Sequence, residues 1–132
     1  MPRPFIVGSL VGLCLVAAAS ARAQTPAPPL GTGQTAKGAA LVDDADMTLY
    51  IFAKDTPGKS ACDDQCTRNW PPLEAEAAAA PVGDYAPITR RDGSRQWTFK
   101  GHALYRFAQD QAPGDINGDG FLNGAWSIAR PK

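Results

Sequence analysis

One seven-residue stretch occurs twice, and it constrains the chain more than any other feature. Leu49-Tyr50-Ile51-Phe52-Ala53-Lys54-Asp55 is matched by Leu104-Tyr105-Arg106-Phe107-Ala108-Gln109-Asp110, sharing Leu, Tyr, Phe, Ala and Asp at an offset of 55. Pro57-Gly58 follows the first copy, and Pro113-Gly114 follows the second after one inserted residue. A Trp stands 12 residues beyond each Gly, at Trp70 and Trp126. Self-similarity of this extent predicts two copies of one supersecondary unit. Side chains alternate along a strand, so Tyr50 and Phe52 share a face, as do Tyr105 and Phe107. The opposite face carries Leu49 and Ile51 in one copy, Leu104 and Arg106 in the other. An Arg is seldom fully buried, which assigns the Tyr/Phe face to the core and leaves the other partly covered.

The remaining strands follow from short runs between turn residues. Ala39 to Val42 and Met47 to Ala53 read as a hairpin across Asp43-Asp44-Ala45-Asp46. Ala86 to Arg90, Gln96 to Phe99 and His102 to Ala108 read as strands joined by Asp92-Gly93 and Lys100-Gly101 turns. Trp97 and Phe99 are expected to pair with Tyr105 and Phe107, and Ala125 to Ala129 forms a last strand. The alanines of the 74–83 link suffice for one helical turn. A second turn is expected around Cys62 and Cys66, capped by Ser60 and Asp63. The expected fold is all-β, a small sandwich or partly closed barrel made of two hairpin-plus-loop units. These face each other about a pseudo-two-fold axis.

Arg3, an apolar run of 15 residues from Phe5 to Ala19, and Ala21-Arg22-Ala23 make residues 1–23 a secretory signal peptide cut before Gln24. The run is short for a membrane span of ~20 residues, so no transmembrane anchor is expected after cleavage. Cys14 sits between Leu13 and Leu15, unlike a lipidated Cys, so no lipid anchor is expected there. Residues 24–36, rich in Pro, Gly and Thr, read as a flexible leader. Residues 37–132 then form a single β-domain, with repeat 1 at 37–73, the link at 74–83 and repeat 2 at 84–132. Removing Arg3 and Arg22 from 13 basic residues leaves 11 against 13 acidic ones, a mature net charge of −2. That balance excludes nucleic-acid binding through bulk charge.

Tyr-x-Phe-x-x-Asp, Pro-Gly, Cys62-x-x-x-Cys66 and Trp70-Pro71-Pro72 occur in order. Together they resemble the bacterial secreted-repeat lipoproteins marked by a Tyr-x-(Phe/Trp/Tyr)-x-x-Asp motif, over roughly Lys37 to Pro131. The resemblance implies motif roles for Tyr50, Phe52, Asp55, Tyr105, Phe107 and Asp110, and for Cys62 with Cys66. The biochemical function of that family is unknown, so only these motif positions are carried over; the signal peptide is what predicts a periplasmic or secreted location.

Three groups of residues carry candidate chemistry. Cys62 and Cys66 are the two cysteines left after cleavage, and an exported pair is expected to form a disulfide. The alternative is a periplasmic copper-binding or thiol-redox site completed by His102, the single His, since thiolates suit Cu(I). Asp115, Asn117 and Asp119 match the first half of a calcium loop. Its twelfth position should be a bidentate Glu and is Trp126, so at most a weak calcium site is expected. Asp55 and Asp110 are expected to accept loop N–H groups, and a hydrolytic carboxylate pair is the sharper alternative. No nucleophile motif is present. The expected function is therefore a non-enzymatic binding or envelope-associated module without a cofactor, for an unidentified envelope or extracellular partner.

Overall fold

A computed structural model describes residues 30–132, together with Pro2, Pro4, Gly8, Val11 to Leu13 and Pro28. The expected signal peptide and the first part of the leader therefore lie largely outside the described residues. The described chain is all-β, with three small sheets and two helical pieces of four residues, and no sheet in it closes into a barrel.

The leader ends earlier than its composition suggests. Gly31–Thr35 (β1) pairs antiparallel with Gly38–Val42 (β2), with Gly33 opposite Ala40. Small residues make this possible, because a Cβ on Gly33 would stand 2.9 Å from Val42 Cγ1. The strand is held by backbone pairing and needs no apolar side chains, so the expected leader gives way to a strand at Gly31. The expected hairpin to Met47 survives as a junction. Asp43 N–H donates to the Met47 carbonyl at 3.0 Å, and Asp43 Oδ1 accepts Ala45 and Met47 N–H, both at 2.9 Å.

The second copy begins with Tyr85–Thr89 (β4) against Arg95–Phe99 (β5), which in turn pairs with His102–Ala103 (β6). Lys100 and Gly101 both have positive φ (50° and 83°), as a two-residue hairpin turn requires. Pairing stops at Ala103. The next residues turn to the other copy, so Trp97 and Phe99 do not join Tyr105 and Phe107 as expected. The 74–83 link is not helical either. Ala75 pairs with Arg95, whose guanidinium collects the carbonyls of Glu76, Ala77 and Ala79.

The two copies exchange their last strands. Tyr50–Phe52 (β3) pairs with Trp126–Ile128 (β7) from the end of the second copy. Reciprocally, the segment after Trp70 runs along the second copy, with Leu73 N–H on Leu104 O at 2.9 Å and Arg106 N–H on Pro71 O at 2.8 Å. Two three-strand junctions result. In one, Leu49 N–H donates to Leu41 O, Leu41 to Ala129 and Ala129 back to Leu49; in the other, Leu104 donates to Trp97, Trp97 to Leu73 and Leu73 to Leu104. Tyr50 and Tyr105 exchange both backbone hydrogen bonds, at 2.8 and 3.0 Å, on the pseudo-two-fold axis.

Strand alternation then builds two cores. Leu41, Leu49, Leu73, Trp97, Phe99, Leu104 and Ala129 fill one. The other holds Tyr50, Phe52, Trp70, Tyr105, Phe107 and Trp126. Its centre is a run of stacked rings. Phe52 lies on Trp126 at 4.2 Å, Trp126 on Trp70 at 3.8 Å and Trp70 on Phe107 at 4.4 Å between centroids. The two Trp rings stack across the axis, 2° from parallel.

Gly118 lies against this stack. An added Cβ would meet Trp70 at 2.6 Å and Phe107 at 3.0 Å. Gly118→Ala should therefore lower the denaturation midpoint by the equivalent of about 1–3 kcal/mol, as overpacking does. Gly31→Ala meets only Val42, at 3.6 Å, and should stay within about 0.5 kcal/mol of the parent. Equal midpoints for the two variants would contradict the close ring stack.

Candidate functional site

The motif phenols point inward, and each meets the carboxylate of the other copy. Tyr50 Oη donates to Asp110 Oδ2 at 2.6 Å, and Tyr105 Oη donates to Asp55 Oδ2 at 2.8 Å. The free oxygen of each carboxylate accepts a loop N–H, from Ala61 at 2.7 Å on Asp55 and from Asn117 at 3.0 Å on Asp110. The phenol oxygens accept as well. Ser60 Oγ lies 2.6 Å from that of Tyr105, whose own proton goes to Asp55, and Gly118 N–H lies 3.3 Å from that of Tyr50. The Asp residues thus shape loops as expected, but each is committed to a separate phenol and a separate loop. Burial, chiefly, holds both phenols well above their ordinary range. Burial also raises the Asp55 carboxyl against the opposing pull of Ala61 N–H and Tyr105.

Two loops of equal role leave these carboxylates. In the first, Cys62 and Cys66 form a disulfide with Cα atoms 5.3 Å apart. The helical piece Cys66–Asn69 (α1) starts only at the second cysteine, so no regular helix has to bridge the pair. Its N-cap is Gln65, with no side-chain cap, and Ser60 instead accepts Cys62 N–H at 3.2 Å. The expected capping by Ser60 and Asp63 is absent because Ser60 is engaged with Tyr105. Arg90, 7% exposed, clamps the loop from the β4–β5 hairpin. Its guanidinium donates to Ser60 Oγ at 2.9 Å, to the Cys62 carbonyl and to Asp63 Oδ1 at 3.3 Å. With both sulfurs joined, the copper arrangement of Cys62, Cys66 and His102 is not assembled. His102 is an exposed residue of β6, although its turn lies against the loop, with Gly58 N–H on Gly101 O at 3.0 Å.

The second loop leads into Phe121–Gly124 (α2), a helical turn distorted by positive φ at Leu122 and Asn123. Its acidic residues do not converge as calcium ligands. Asp115 Oδ2 accepts Gln111 and Ala112 N–H at 2.9 and 3.0 Å, closing its own turn. Asp119 pairs with Lys37 at 2.7 Å and accepts Ile128 N–H at 3.3 Å; the lysine holds its carboxyl below the ordinary value. Among the described residues no three His, Cys, Asp or Glu side chains could hold one ion.

The two copies differ most at one pair of positions. The backbone junctions make Asp43 equivalent to Phe99, and the repeated motif makes Arg106 equivalent to Ile51. In the second copy Arg106 Nε meets Asp43 Oδ2 at 2.8 Å, with the carboxylate 1% exposed, and the surrounding hollow is about 250 Å³. In the first copy Ile51 and Phe99 occupy those places and floor an open cleft of about 420 Å³. Lys100, His102 and Arg130 stand around it.

The family described as a secreted repeat of unknown function matches residues 31–74 and 86–130. The chain belongs to this secreted-repeat family. Its two matched segments are the two exchanged units, and the first starts at the first residue of β1 rather than at Lys37. No curated protein and no solved structure matches the chain. In this secreted repeat, sequence reasoning missed Arg90 and the cleft. The cleft did leave a signal, since Ile51 and Arg106 are the sharpest chemical difference within the repeated heptapeptide. Arg90 left none, because the hairpin turn that carries it has no counterpart of like sequence at Ala36-Lys37.

The buried phenols fix an alkaline limit. Free phenols ionise near pH 10, while the folded ones remain protonated above that. Above about pH 10 the unfolded state therefore releases protons that the folded state retains, and stability falls as pH rises. Phenolate absorbance from Tyr50 and Tyr105 should appear only as the fold opens. Tyr50→Phe with Tyr105→Phe should cost about 1–3 kcal/mol per site at neutral pH, by leaving carboxylate oxygens unpaired, and should flatten the alkaline slope. Reversible ionisation of both phenols in the folded protein would contradict the buried pairs.

Proposed function

We propose that this secreted repeat is a non-enzymatic, exported binding module of the cell envelope, and that its working surface is the open cleft over Ile51 and Phe99. The observation that carries the reading is the contrast between the copies. One hollow, of about 250 Å³, carries the Arg106–Asp43 ion pair, while its larger counterpart of about 420 Å³ has Ile51 and Phe99 in those places. The motif side chains that could do chemistry are turned to interior use. Each phenol pairs with one carboxylate of the other copy, and the cysteines bond to each other. A concave, largely apolar site with a few polar groups at its edge is the usual form of a small-ligand site. Export before Gln24 without lipid at Cys14 completes the proposal, and the reading needs no metal or cofactor.

The test is thermal unfolding of the exported protein with and without an extract of envelope small molecules, alongside Ile51→Arg. That variant places the second copy's side chain over the floor. The extract should raise the midpoint of the parent saturably and leave the variant unmoved. An equal rise in both, or none in either, would contradict a ligand in this cleft.

A further inference from the structure

The cleft also has a charge, and the charge names a ligand class; this inference rests on the cleft's being a binding site. Lys100, Arg130 and Lys132 edge an apolar floor of Ile51, Phe99 and Ile128. The side-chain carboxylate at the edge, Asp119, is already held by Lys37 at 2.7 Å. Lys100, Arg130 and Lys132 make no ion pair among the described residues, and all three are exposed. Lys100 Nζ stands 5.3 Å above the Phe99 ring, and Arg130 uses one guanidinium nitrogen on Ala39 O at 2.8 Å. This surplus of positive charge sits on a mature chain of net charge −2, so it is local. The backbone equivalence sharpens the point. The positions matching Lys100, Arg130 and Lys132 in the other copy are Asp44, Glu74 and Glu76, all exposed. One site has a basic edge and no ion pair at its floor; its counterpart carries the Arg106–Asp43 ion pair and has acids at the matching edge positions.

We propose that the Ile51 cleft binds a small amphiphilic anion, an apolar body of roughly eight to ten carbons carrying a carboxylate or phosphate head. The floor would remove the body from water, and the lysines and Arg130 would meet the head at the edge. A hollow of about 420 Å³ lies within the range of small-molecule sites, roughly 300–1,000 Å³. A free molecule fits better than a bilayer surface. Binding to a bilayer would call for apolar side chains projecting beside the basic groups, whereas the exposed large apolar residues of the domain, Val82, Phe121 and Leu122, do not line this cleft.

Calorimetry of the exported protein with decanoate, decan-1-ol and decyltrimethylammonium tests the class, with methyl resonances of Ile51 and Ile128 locating the site. Decanoate should bind saturably and shift both methyls, with the alcohol at least ten-fold weaker and the cation weaker still. Lys100→Glu with Lys132→Glu, two changes at exposed side chains, should weaken decanoate at least ten-fold. The alcohol should be unaffected. Equal binding of alcohol and carboxylate would overturn the anionic class while leaving the cleft a binding site. No binding of any probe would overturn the class, and the extract experiment would then decide whether the cleft binds anything. Co-flotation with phosphatidylglycerol vesicles without decanoate binding would overturn it in favour of a bilayer. A concentration-dependent dimer that the double reversal dissolves, again without decanoate binding, would overturn it in favour of a second copy's acidic face.

Discussion

Each motif phenol is buried against the carboxylate of the other copy, and the rest of the structure depends on that exchange. A buried hydroxyl or carboxylate without a partner is costly. Tyr50 with Asp110 and Tyr105 with Asp55 satisfy four such groups at once, and only when both copies are in place. The same carboxylates position the two loops through Ala61 and Asn117. The exchanged strands β7 and 71–73 bring Trp126 and Trp70 to the axis, where their rings stack. Spacing from the Pro-Gly turn to Trp is thus kept in both copies because one loop must span from that turn to the shared stack.

Within that frame the copies solve one loop problem twice. Asp64 and Gly120 stand at equivalent positions, and both have positive φ, 51° and 90°. The first loop is tied by the Cys62–Cys66 disulfide and the second by hydrogen bonds to Asp115. A hairpin from the opposite copy then sets a cation on each loop, Arg90 on Asp63 and Lys37 on Asp119. Where the interior is shared the copies stay alike. At Ile51 and Arg106, on the outer face, they are free to differ, and there the open cleft stands against the ion pair.

Much of this was legible in the sequence. The repeat, its offset and the alternation of Tyr50 and Phe52 give two units, an all-β chain and one of its cores. The exchange of strands was not legible, because nothing in Ala125 to Ala129 says which of two similar edges it will join. Trp97 was assigned to the wrong core for a related reason. Its partner strand leaves β5 at Ala103, and parity then sets Trp97 beside Leu104. Gly31 to Thr35 looked like leader because a strand paired through its backbone carries little apolar signal. The cleft could be suspected from Ile51 and Arg106, but Asp43 and Phe99 become comparable only once the junctions are known.

The central claim is that neither copy is folded without the other. Native-state hydrogen exchange of the backbone amides of Tyr50, Leu73, Tyr105 and Ala129 tests it most directly, since all four are donors in bonds that cross between the copies. One common opening free energy is expected for the four, equal to that of global unfolding. Exchange of Tyr50 and Ala129 at a clearly lower free energy than Leu73 and Tyr105, or the reverse, would show two units that open separately and would contradict it.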